Sequence, residues 1–296
     1  MGAVGRVRLR AFAKINYALE VTGRRPDGYH DIRSVMQSIS LADDVEIERG
    51  GKGLELIVEP EGTEIGPPEQ NTVYRAWAAL RKLTGEDTPV RVLLRKRIPA
   101  GAGLAGGSAD AAAALVGLNE ILGLRIDQET LRGLGVRIGA DVPFCLTGGT
   151  ALGEGVGENL TALPAPPHHY LVVAKPQPGA DTGVVYRLHD ELGAEPGDCV
   201  RPVVGALERG DLTSLASSIG NDLARVTERL VPEVASLRER LLELGALGSG
   251  MTGSGTAVYG IFQAEAEARS AAGGIQAPFV DICGPAIAGV EMLRDA

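Results

Sequence analysis

A chain of 296 residues, 44% apolar and 23% charged, has the material for one large or two ordinary globular domains. Aromatic residues make up only 4%, so burial must rest on Ala, Val, Leu and Ile. The formal net charge of −9 argues against a general affinity for nucleic acid or an anionic membrane, and no apolar run nears the ~20 residues that cross a bilayer.

Arg6 to Val21 interleaves arginines with Val and Leu, the alternation of a strand rather than the compact apolar stretch of a secretion signal. The Met1–Gly2 start lacks Ser or Thr at Arg6, which disfavours N-myristoylation. Cys145, Cys199 and Cys283 lie far apart with no C-x-x-C pair, a pattern that fits a reducing cytoplasm, and a cytoplasmic protein is expected. Gly23–His30 is a turn, since Pro26-Asp27-Gly28 is turn chemistry. Strands are expected at 43–49 and 54–59, then a helix capped by Asn71 with Val73, Trp77 and Leu80 on one face. A strand from Val90 ends at Pro99, and a glycine-rich stretch leads into a helix over Ser108–Leu122.

A second helix follows over 127–139, and then "GADVPF", between that helix and a strand. Three prolines in Leu163–Tyr170 mark a domain joint, dividing the chain into 1–163 and 164–296. Beyond it come a buried strand at 170–176, helices over Gly183–Glu191, Val203–Ser217 and Pro232–Leu244, a strand at 256–262, a helix at 264–274 and a last strand near 277–284. There is no internal repeat, heptad seam or long low-complexity tract.

The stretch "IPAGAGLAGGSADAAAAL" (Ile98–Leu115) contains G-x-G-x-x-G. It does not sit at a first βα turn with an acidic residue after the next strand, as a Rossmann dinucleotide site requires. Nor does it end in the Gly-Lys-Ser/Thr of a Walker loop. Either it is a plain turn ahead of an alanine-rich helix, or its glycines curve around a phosphate at a helix N-terminus, with Ser108 offering a hydroxyl. "GSGMTGSG" (Gly248–Gly255), alone, is a flexible connection; beside the first stretch it suggests a shared anionic ligand.

Lys14, one of only five lysines, sits in an otherwise apolar strand. It either snorkels to solvent or needs a partner, and Asp141 would make an acid–base couple with it. Tyr29-His30 offers a ring and a hydrogen-bonding imidazole, able to pack locally or to read a nucleobase. His168-His169 lacks a metal-site partner and is structural or exposed.

In order, "AKIN", "GRRPDGYH", the Ile98 stretch, "GADVPF", "GEGVGE" and "GMTGSG" resemble the GHMP small-molecule kinases, over about Arg10 to Phe262. The resemblance implies a two-domain α+β fold, an N-terminal left-handed βαβ domain followed by a ferredoxin-like domain. It implies ATP-dependent phosphorylation, with Mg²⁺, of the 2-hydroxyl of 4-diphosphocytidyl-2-C-methyl-D-erythritol, a step of non-mevalonate isoprenoid synthesis. Asp141 would take the hydroxyl proton and Lys14 would hold carboxylate and hydroxyl in place. Pro99, Ala100, Gly101, Ala102, Gly103, Leu104, Ala105, Gly106, Gly107 and Ser108 would cradle ATP, with Ser108 near the metal. Tyr29 and His30 would bind the cytosine and Tyr186 would close its other face. Asn16 and Thr182 would touch the substrate, and Gly253, Ser254 and Gly255 would lie near its diphosphate.

The family loop often reads G-L-G-G-G-S-S-D, whereas Ala105 and Ala109 stand here for a glycine and a serine. Ala105 is tolerable if its φ is negative; Ala109 leaves the serine role to Ser108, and Asp110 is expected to serve helix-start electrostatics. Alternatives are a GHMP kinase for mevalonate or homoserine, disfavoured by "GRRPDGYH", or a non-catalytic nucleotide sensor, disfavoured by Lys14 with Asp141. A small-molecule substrate, no nucleic acid or membrane partner, and a monomer or weak homodimer are expected.

Overall fold

A computed structural model describes residues 5–60, 67–193 and 196–293. The Met1–Gly2 start, and with it the acylation reading, lies outside them.

Two long strands, β1 (Arg6–Arg24) and β2 (His30–Arg49), form one antiparallel hairpin, longer than the separate strands expected. Its tip is the Pro26-Asp27-Gly28 turn, where Gly28 takes φ +89 and Asp27 Oδ1 accepts from the Tyr29 N–H at 3.1 Å. β3 (Leu54–Glu59), α1 (Thr72–Thr84) and β4 (Val90–Arg95) follow, with β3 and β4 parallel across the intervening helix. Asn71 caps α1, accepting from the Val73 N–H at 2.8 Å. Then come α2 (Gly106–Ile121), α3 (Gln128–Ile138) and α4 (Val142–Thr147). The last begins immediately after Asp141, where a direct passage into a strand was expected; Pro143 in its first turn suits a helix start. β5 (Thr150–Gly155) and β6 (Asn159–Ala162) complete the first half.

The second half runs β7 (Tyr170–Lys175), α5 (Thr182–Leu192), α6 (Val200–Arg209), α7 (Leu212–Ser217), β8 (Gly220–Asn221), α8 (Ala224–Leu230), α9 (Glu233–Glu243), β9 (Gly248–Met251), β10 (Val258–Phe262), α10 (Glu265–Gly273), β11 (Phe279–Cys283) and β12 (Val290–Leu293). The single helix expected over Val203–Ser217 is two, broken at Gly210 (φ +63) and restarted by Asp211, which accepts from the Ser214 N–H at 3.1 Å. Half of "GSGMTGSG" is the buried strand β9 rather than a flexible link.

Among the described residues one sheet has eight strands, in the path β12-β1-β2-β4-β3 with β5, β6 and β8 attached; the other has four, in the order β11-β7-β10-β9. Taken in chain order the four strands lie 4-1-3-2, all antiparallel, with α9 and α10 packed on them: a ferredoxin-like sheet in a two-layer α+β half. Two strands from the second half, β8 and β12, pair with β1 of the first sheet.

α2 is apolar around most of its circumference and correspondingly buried, with Ala111 to Leu115 fully enclosed. Small residues let it lie close on the hairpin: a Cβ at Gly117 would come within 2.7 Å of Ile47 Cδ1 and 2.8 Å of Leu9 Cδ1. That contact sets the N-terminus of α2 beside the middle of β1. Among the described residues no helix is long and apolar enough to cross a membrane.

Candidate active site

The glycine loop between β4 and α2 is fastened at three points. The Leu104 carbonyl accepts from the Lys14 N–H of β1 at 3.1 Å and the Ala102 carbonyl accepts from the Ala257 N–H at 3.1 Å. Thr252 Oγ1 lies 3.0 Å from both the Gly103 carbonyl and Asn16 Oδ1. Gly103 has φ +75, and a Cβ built there would fall on the Thr252 carbonyl, 2.9 Å from its carbon and 3.3 Å from Gly253 Cα. The two glycine stretches therefore meet backbone to backbone, an approach open only to glycine.

Ala105, the N-cap of α2, takes φ +57 and ψ +28, so the condition of a negative φ, under which alanine is tolerated without strain, is not met. An L-residue there costs roughly 1–2 kcal/mol, which the ties on either side of the loop sustain. Ala105 makes no side-chain cap, which leaves the first N–H groups of α2, at the positive end of its dipole, uncapped by that residue. Ser108, in that first turn, faces the Gly139–Asp141 segment.

A buried charge cluster underlies the loop. Asp43 of β2 is fully buried; its Oδ1 accepts from the N–H groups of Arg97 (2.5 Å) and Ile98 (2.8 Å), and its Oδ2 from Lys96 Nζ (2.5 Å). Lys96 Nζ also donates to Asp110 Oδ2 at 2.6 Å, while among the described residues Asp110 Oδ1 has no hydrogen-bond partner. Asp110 is thus a buried hydrogen-bond partner of Lys96, rather than the helix-start charge expected. Burial pushes its carboxyl up to about 8 against the pull of Lys96, and the Asp43 charge adds to the rise. Lys96 and Asp43 escaped the sequence reading because charges in alternating strands ordinarily face water.

Lys14 is 3% exposed, and its Nζ donates to Asn16 Oδ1 at 2.8 Å and lies 3.9 Å from Asp141 Oδ2. Asp141 keeps 37% of its side chain exposed, so the pair joins a buried ammonium to a carboxylate open to the cleft. Asn16 Oδ1 accepts from the Gly253 N–H as well, at 2.8 Å, and its Nδ2 donates to Ser34 Oγ at 2.7 Å. Its side chain is therefore committed to fastening the second glycine stretch to the hairpin. Thr182 Oγ1 and Ser254 Oγ lie 2.8 Å apart, joining the start of α5 to that stretch.

At the far end Tyr29 is 66% exposed, while His30 and Tyr186 stack on each other with centroids 4.7 Å apart and planes 25° apart. His30 and Tyr186 thus form a two-ring wall. Burial raises the Tyr186 hydroxyl's pKa, and the nearby Asp141 charge raises it further. His169 is buried and structural: its Nδ1–H donates to the Pro167 carbonyl at 2.8 Å, leaving Nε2 to accept from the Tyr17 hydroxyl at 3.1 Å.

Lys14, Asn16, Tyr29, His30, the loop from Pro99 through Ser108, Asp141, Thr182, Tyr186 and Gly253 to Gly255 all line one cleft of about 1240 Å³. Lys96, Thr72 and Arg187 line it too, without having been singled out in the sequence. The cleft has a glycine cradle at one end, a cation–carboxylate pair in the middle and rings at the other.

A family model described as the GHMP kinases N terminal domain matches residues 71–149, and one described as GHMP kinases C terminal matches 203–281. The 4-diphosphocytidyl-2-C-methyl-D-erythritol kinase of Moorella thermoacetica is 44% identical over 90% of this chain and 94% of its own. Its counterpart from Pelotomaculum thermopropionicum is 45% identical over 85% and 87%. A crystal structure of 4-(cytidine 5'-diphospho)-2C-methyl-D-erythritol kinase superposes with a TM-score of 0.80 at 35% identity, covering 94% of this chain and 98% of that one. A homoserine kinase from Cytophaga hutchinsonii (TM-score 0.77, 18% identical, 99% of each chain covered) shares the fold. The chain belongs to the GHMP kinase family.

Proposed function

We propose that the chain transfers the terminal phosphoryl group of ATP to the 2-hydroxyl of 4-diphosphocytidyl-2-C-methyl-D-erythritol. The observation that carries this reading is the Lys14–Asp141 pair, 3.9 Å apart, between the glycine cradle and the ring wall. Phosphoryl transfer demands positioning and charge neutralisation more than covalent chemistry, and the cleft's three regions divide that work. The glycine loop holds the phosphates with backbone N–H groups and the start of α2. Asp141, exposed to the cleft, accepts the proton of the attacking hydroxyl, while Lys14 orients it and offsets the negative charge that develops. Gly253 to Gly255, with Thr182, adjoin the diphosphate, and Tyr29, His30 and Tyr186 form the cytosine end. Asn16 acts by holding the second glycine stretch and Lys14 in register. The ring wall and the 35–45% relatives favour a cytidyl acceptor over mevalonate or homoserine.

Among the described residues no cluster of three or more His, Cys, Asp or Glu is placed to hold a metal. Mg²⁺ usually rests on phosphate oxygens and water with one or two protein ligands, so the Ser108 hydroxyl beside the cradle fits such a site. When bound, the ion would neutralise charge on the ATP phosphates. Replacing Asp141 with Asn tests the assignment: ATP affinity should stay within about threefold while kcat falls by ~10²–10⁴. Near-normal turnover would remove Asp141 from the role of base.

A further inference from the structure

The ring wall is held from behind by a carboxylate that phosphoryl transfer does not use. Asp190 lies one turn beyond Tyr186 on α5. Its Oδ1 is 2.7 Å from His30 Nε2, and its Oδ2 is 3.5 Å from an Arg24 guanidinium nitrogen. His30 is thereby clamped twice, by the stack on Tyr186 and by this bond. An ionised carboxylate can only accept, so the hydrogen in the pair sits on Nε2. In the neutral imidazole Nδ1 then carries a lone pair. Nδ1 is on the ring edge turned from Asp190, and among the described residues it makes no hydrogen bond. His30 lines the same cleft as Tyr29.

We infer that Asp190 is a specificity-determining positioning residue: by fixing His30 as the Nε2–H tautomer, it makes Nδ1 an acceptor for the exocyclic amino group of cytosine. Uracil presents a carbonyl oxygen at that position, which would meet the Nδ1 lone pair with no hydrogen between them. Leaving such groups unpaired costs on the order of 1.4–2.7 kcal/mol, a preference of about tenfold to a hundredfold. Arg24 holds the second oxygen of Asp190, which keeps the carboxylate turned toward the ring. The inference rests on the reading of this cleft as a cytidyl-substrate site, and it adds what selects the base.

The test is the binding of CDP and UDP, by calorimetry, to the wild type and to Asp190→Asn, so that it does not depend on turnover. The amide is nearly isosteric and can donate to Nε2, which moves the ring hydrogen to Nδ1. The wild type should bind CDP at least about tenfold more tightly than UDP, and Asp190→Asn should reduce that preference to about threefold or less, with ATP affinity retained as evidence of folding. Nitrogen NMR of His30 should show Nε2–H in the wild type and a shift toward Nδ1–H in the variant. A wild type without CDP preference, a variant that keeps the full preference, or a wild-type ring protonated on Nδ1 would each overturn the inference. Failure of the wild type to phosphorylate the cytidyl alcohol would instead strike the functional reading, since nucleotide selection is measured apart from it.

Discussion

Gly103→Ala tests whether the two glycine stretches must touch for the cleft to work. The methyl group would enter at φ +75, a conformation that costs an L-residue roughly 1–2 kcal/mol. It would also fall on the Thr252 carbonyl, 2.9 Å from the carbon, so the facing strand end must retreat. Retreat loosens the Thr252 hydroxyl from the Gly103 carbonyl and the Ala257 N–H from the Ala102 carbonyl, at about 1 kcal/mol each. Against this, alanine restricts the unfolded chain by ~0.4–1 kcal/mol relative to glycine. The net expectation is a loss of about 3 kcal/mol in urea unfolding. Activity should suffer further, because Gly253 shares the Asn16 acceptor with Lys14, and a displacement of roughly 1 Å at a reacting group can cost ~10²-fold. Steady-state kinetics should therefore show kcat down by about a hundredfold. Ala105→Gly is the control: it relieves φ +57 without touching the contact, and should leave stability equal or higher by up to ~1 kcal/mol. A Gly103→Ala protein with turnover within about twofold of wild type and unchanged stability would refute the reasoning.

Asp43→Asn keeps an acceptor for the Arg97 and Ile98 N–H groups but turns an amide toward Lys96, leaving that ammonium only Asp110. Breaking a buried pair of this kind costs about 3 kcal/mol, readable by urea denaturation, and a loss under about 0.5 kcal/mol would contradict the cluster's role in seating the loop. Burial lowers the pKa of His169, whose neutral form is the one that accepts from Tyr17. Because the folded pKa lies below the unfolded value near 6.5, the unfolded chain takes up the proton first as pH falls. Stability should be constant with respect to this group above about pH 6.5 and decline below it, and His169→Gln should flatten that part of a Tm-against-pH profile. Identical slopes in both proteins would exclude His169 as the source.

The centre of the site was legible because its residues are of the wrong type for their surroundings. A lysine inside an apolar strand and an aspartate ahead of Val-Pro-Phe each need a reason, and each supplies the other's. Glycine density before an alanine run likewise marked a loop leading into a helix start. Asp43 and Lys96 carried no such mark. The length of the hairpin was hidden because its middle passes through Ser34, Gln37 and Ser38, polar residues that the fold buries among hydrogen bonds. β8 and β12, of two and four residues, are too short for any periodicity, and their place beside β1 is set by tertiary pairing. The backbone of Ala105 is set the same way: composition says alanine prefers negative φ, and the loop's three ties overrule it. Nothing local in the sequence brings His30 onto Tyr186 and Asp190, since that contact joins a hairpin tip to a helix of the other half.

The central claim is most directly tested by incubating the protein with ATP, Mg²⁺ and an equimolar mixture of the cytidyl alcohol, mevalonate and homoserine, following phosphorus NMR for ADP and for each phosphomonoester. ADP should form one-for-one with the 2-phosphate of the cytidyl alcohol, with no phosphorylation of the other two. Phosphorylation of mevalonate or homoserine in preference, or no phosphoryl transfer at all, would contradict it.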